Sequence, residues 1–129
     1  MATGFPASTG DVLTSSMFNG LTAFTVGTAN TADYTAVSAD QYQVLEIMNK
    51  ATAIAFKIPT DASVAFPVGT ALTVLNIGVG TCTISAVTPG TTTILSAGSV
   101  AASPTLAQYK SAVCIKTAAN AWYVVGGIA

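Results

Sequence analysis

A chain of 129 residues, 51% hydrophobic and only 7% charged, is one domain's worth of sequence, too apolar for disorder and long enough to bury a core. Its formal net charge of −1, four basic residues against five acids, supplies no field for nucleic acid or for an anionic membrane surface. With no histidine anywhere, Ser-His-Asp and Cys-His catalysis are excluded and zinc lacks ligands.

Residues 1–10 are rich in Pro, Gly, Ser and Thr and read as an extended arm, without the basic and apolar regions of a secretory signal. The chain is therefore expected to be made in a cytoplasm. Residues 11–20 follow as a short helix. Thr9 or Asp11 caps it, Leu13, Met17 and Phe18 share its apolar face, and Asn19 and Gly20 end it. Residues 21–26 continue as a strand. We take residues 1–32 as an arm and residues 33–129 as the domain. An apolar-studded arm outside a domain is a contact device, so Phe5, Leu13, Met17, Phe18, Leu21 and Phe24 are the candidate subunit contacts.

From residue 33 onward, strand signals recur with turn residues between them. Residues 43–48 place Val44 and Met48 on one face and Leu45 and Ile47 on the other. Residues 52–58 alternate, with Ile54, Phe56 and Ile58 inward and Ala53, Ala55 and Lys57 outward. Residues 72–77 are apolar on both faces, as in a central strand. Residues 81–86 put Cys82, Ile84 and Ala86 inside, and residues 91–95, 108–116 and 121–125 supply three more strands. Thr-rich alternation with turns at short intervals predicts an all-β fold, an antiparallel β-sandwich or small barrel. The stretch 62–109 carries no charge, yet Pro67, Gly69, Asn76, Gly78, Gly80, Pro89, Gly90, Gly98 and Pro104 break it too often for a membrane-spanning helix. So few charges leave two ways to stay soluble: a polar, neutral surface of Thr, Ser, Gly and Asn, or burial against other subunits. The second is favoured.

Motifs that carry chemistry are scarce. The G-x-G at Gly78 and Gly80 precedes a strand, not a helix, and reads as a turn instead of a phosphate loop. Cys82 and Cys114 read as buried thiols, with an intramolecular disulfide as the alternative. Lys57, Lys110 and Lys116 lie near hydroxyls but are expected on exposed faces. Asp33, Asp40, Glu46 and Asp61 show no calcium-loop spacing and are expected to be solvated. Of Trp122 and Tyr123, one should face the core. No catalytic residue, cofactor or metal is expected, and a bound glycan has no positive support.

Several segments together resemble a small β domain common in structural proteins of tailed bacteriophages, among them fibre, tail and capsid-decorating proteins. They are Asp33-Tyr34-Thr35, Ile58-Pro59, the octapeptide Ser-Val-Ala-Phe-Pro-Val-Gly-Thr of residues 63–70, residues 80–84, Gln108-Tyr109, residues 115–117 and residues 122–126. Residues 10–19 are similar to the N-terminal peptide of many phage virion proteins. In the octapeptide, Phe66 should plug one end of the core, Pro67 should block strand pairing and Gly69 should let the chain turn. Cys82 and Cys114 depart from the pattern, where the relatives carry other apolar residues or Thr. The resemblance implies a decoration (cement) protein on the capsid surface, a homotrimer bound to the major capsid protein. Its alternatives are a short tail fibre or tail adaptor, or a carbohydrate-binding adhesin module.

Overall fold

The structure is a computed structural model that describes residues 24–96 and 103–128. Among the described residues, ten strands form two sheets. In chain order they are β1 (Thr25–Val26), β2 (Tyr34–Thr35), β3 (Val44–Met48), β4 (Ile54–Ile58), β5 (Ala71–Asn76), β6 (Cys82–Ala86), β7 (Thr93–Ser96), β8 (Thr105–Leu106), β9 (Lys110–Ala118) and β10 (Ala121–Gly126). One sheet has six strands in the order β1-β3-β5-β9-β10-β7, and the other has four in the order β2-β4-β6-β8. A 3-10 turn at Ser38–Gln41 lies between β2 and β3. The all-β, two-sheet expectation holds.

Strand direction does not follow the antiparallel expectation. Five pairs are parallel (β1 with β3, β3 with β5, β7 with β10, β2 with β4, β4 with β6), and three are antiparallel (β5 with β9, β9 with β10, β6 with β8). The reason lies in the connections. After β3 the chain crosses to the other sheet as β4, then returns as β5, and so on through β9. Through β7 every second strand therefore points the same way, and the crossover that parallel strands require is a strand of the opposite sheet, whereas β8 and β9 run against β6 and β5. Period-two alternation is the same for either direction, so the sequence pattern did not distinguish them. Among the described residues, only β9 and β10 join as a tight hairpin within one sheet, with Asn120 in the left-handed region at φ 51.

The core lies between the sheets. Met48, Phe56, Ile58, Leu72, Val74, Ile84, Leu106, Trp122 and Val124 are at most 1% exposed. Strand β4 buries Ile54, Phe56 and Ile58 as its alternation predicts, and β6 buries Cys82 and Ile84 with Ala86 packed at the margin. Phe66 closes one end, its ring meeting Trp122 edge to face at 5.6 Å and 88°. Gly69 turns the chain into β5 at φ +96, where any Cβ would be strained. At the other end, a Cβ on Gly80 would stand 1.9 Å from the Thr52 carbonyl oxygen, so only glycine fits between those loops. Asn76 joins this end from inside β5: its amide donates to the Gly80 and Leu106 carbonyls at 2.9 Å each.

Candidate functional site

The two sheets differ in what their outer faces carry. On the four-stranded sheet the outward residues form short cross-strand rows, Ala55 beside Thr83 beside Thr105, and Thr35 beside Lys57 beside Ser85. This face is hydroxyl-rich and includes a half-exposed ion pair, Lys57 to Asp33 at 3.9 Å. It is an ordinary solvated surface.

The six-stranded sheet is different. Its register stacks Val26, Leu45, Thr73, Val113 and Val125 into one outward row across five strands. A second row runs Ala71, Ile115, Tyr123, Leu95, and a third Ile47, Leu75, Ser111. No residue in the three rows is charged. Val26 is 64% exposed, Val125 49% and Tyr123 46%, while Leu45, Ile47, Leu75, Val113 and Ile115 are half-buried by their own neighbours. A sheet apolar on both faces is the state of a sheet covered on both faces. This face is the candidate functional site.

Two clusters of buried charge lie inside the sandwich. The Lys116 ammonium, 3% exposed, donates to Asp61 Oδ1 at 2.7 Å and to the Phe66 carbonyl at 2.6 Å. Asp61 in turn accepts from the Asn120 backbone N–H at 3.1 Å, and the Asn120 side chain accepts from the Asp61 N–H at 2.9 Å. This lysine therefore pins the Phe66 plug and the β9–β10 turn together. It corrects the expectation of an exposed Lys116. A register shift in the β9–β10 hairpin sets Lys116 across from Trp122 on the inner face.

The second cluster corrects the expectation of solvated acids. Asp40 and Glu46 are 4% and 6% exposed. Asp40 Oδ2 accepts from the Tyr34 hydroxyl at 2.7 Å and from the Val37 N–H at 2.9 Å, which holds the 3-10 turn against β2. Glu46 Oε2 accepts from the Asn30 side-chain amide at 3.2 Å. Burial, then the hydrogen bond and negative charge of Asp40, push the Glu46 carboxyl up to about 7. Burial followed by Asp40 also raises the Tyr34 hydroxyl, so it remains a donor.

Cys82 and Cys114 are free and buried. Burial pushes their thiols up to about 11 and about 12, which suppresses the thiolate that nucleophilic chemistry needs. Among the described residues, no group of three His, Cys, Asp or Glu converges as metal ligands would. No helix there is long and apolar enough to cross a membrane.

Of the sequence-derived contact residues, Phe5, Leu13, Met17, Phe18 and Leu21 lie outside the described residues, as does the expected helix. Phe24 is 54% exposed beside the edge strand β1. Phe66, Gly69 and Trp122 occupy the core and turn positions expected of them, and Pro67 stands exposed after the plug. Tyr123, not Trp122, faces out. The outer apolar face was missed as a unit, although Leu45 with Ile47 and the two-sided β5 carried its signal. No protein-family model, no curated protein and no solved structure matches the chain.

Proposed function

We propose that the chain is a bacteriophage virion structural protein of the capsid decoration (cement) type. It would be made in the host cytoplasm and bind the shell of the major capsid protein as a homo-oligomer, a trimer by the resemblance. The observation that carries this reading is the uncharged outer face of the six-stranded sheet, which favours packing over chemistry. The phage class rests on the sequence resemblance. Such a protein acts as glue: each few hundred Å2 of apolar surface it covers contributes several kcal/mol, at about 25 cal/mol per Å2, before ordering costs. Several contacts per oligomer multiply weak single affinities.

Neither a tail protein nor a glycan-binding adhesin draws comparable support from a specific feature. The one tryptophan, a natural sugar platform, is wholly buried. Cryo-electron microscopy of particles containing the protein tests the assignment. Density for it on the capsid lattice is expected, and density confined to the tail rejects decoration.

A further inference from the structure

We propose that the outer face of the six-stranded sheet is the self-association surface, covered in solution by another copy of this chain. The inference rests on reading the chain as a self-assembling structural protein; it moves the self-contact from the N-terminal arm to the sheet, and a face that matches itself closes a pair where the resemblance implies a trimer.

Three observations lead to a second copy. The first is charge. The three outward rows contain only Val, Leu, Ile, Tyr, Ala, Thr and Ser, so a partner bearing Lys, Asp, Glu or Arg would lose hydration there without gaining an ion pair. The matching surface must itself be uncharged and apolar, and this face is its own match. The solvated face of the other sheet is excluded, because Lys57 and Asp33 would be stripped of water. Two copies also repel little at a net charge of −1 each.

The second observation is size. With strands ~4.8 Å apart and rows ~6.8 Å apart, the twelve positions of the three rows project to roughly 390 Å2. Side-chain relief raises the accessible area above that projection, which suits a weak, concentration-dependent interface smaller than the ~800 Å2 per partner of a standard one. The third is shape. Twisted sheets pack face to face at about 10 Å, and small residues at the middle of the patch, Thr73 and Val113, leave room for larger ones from a partner.

Sedimentation equilibrium on the full chain tests this, with three variants chosen by face. Wild type should be oligomeric at ~100 µM. Val113→Lys with Val125→Lys should raise the dissociation constant at least roughly 100-fold, since each copy would bury unpaired ammonium groups. Thr83→Lys, on the other sheet's outer face, should leave it unchanged. If the double lysine variant fails to fold, Val113→Thr with Val125→Thr keeps shape and β-branching and should weaken association about tenfold. A monomeric wild type would overturn the inference, because the face would then belong to the shell or to residues 1–23. So would an oligomer indifferent to both outer-face variants. The virion reading fails separately: a monomer still found on capsids preserves it, and an oligomer absent from particles removes it while this inference stands.

Discussion

Buried charge is held in two opposite ways at two places in this sandwich. Beside the Phe66 plug, a cation and an anion meet, Lys116 with Asp61 at 2.7 Å, and backbone groups take up their remaining hydrogen bonds. Beside the 3-10 turn, two carboxyls meet, Asp40 and Glu46, with a tyrosine and an asparagine around them and, among the described residues, no lysine bonded to either. The burial cost is the same in kind. One cluster meets it with opposite charge, and the other with a retained proton. The difference has a consequence: the second cluster makes stability depend on pH near neutrality.

The larger expected effect breaks the first cluster. Lys116→Met fills the same space but leaves Asp61 without its cation and the Phe66 carbonyl without its donor. A loss of about 3 kcal/mol is expected, in the range for removing one partner of a buried pair. Urea denaturation measures it, and a loss below ~1 kcal/mol would mean the pair contributes little. Plug and hairpin should loosen together, because the one lysine holds both.

Next comes the pH dependence of the second cluster. In the unfolded chain Glu46 gives up its proton near an ordinary 4.5, while in the fold it keeps the proton to about 7. Between those values the folded state binds more protons, so stability is greatest below 4.5, falls as pH rises and levels off above 7. A gap of this size is worth up to roughly 3 kcal/mol, at 1.36 kcal/mol per pKa unit. Denaturation midpoints from pH 4.5 to pH 8 should show the fall in wild type and lose most of it in Glu46→Gln. An equal slope in both proteins would place the titration elsewhere.

How much of this was legible in the chain depends on the residue. Lys116 follows Ala112 and Cys114 at the spacing of one strand face, so its inward direction was readable from parity. The bulge that aligns that face with Trp122 was not. Glu46 sits between Val44 and Met48, which share a face, and the same parity argument reaches it. Asp40 lies in an irregular turn, where no period applies. Strand direction was invisible for a physical reason: alternation reports which side a residue faces, and direction is set by where each loop delivers the chain. The outer apolar face could only be assembled once Thr73 was known to lie beside both Leu45 and Val113.

The finest test separates proton from packing within the acid cluster. Tyr34→Phe keeps the ring that stacks on Phe56 at 6.0 Å and removes only the hydroxyl that donates to Asp40. One hydrogen bond to a carboxylate is worth about 1.5 kcal/mol, so the loss at neutral pH should be near that. The sharper readout is the pH midpoint. The hydroxyl favours the ionised form of Glu46, and without it Glu46 holds its proton more tightly. The fall in stability should therefore extend to higher pH and deepen in step, because the unfolded value of Glu46 is unchanged. A stability loss with an unmoved midpoint would show that the hydroxyl holds the turn through Asp40 without acting on the Glu46 proton. The retained proton would then owe its place to burial and to Asp40 alone.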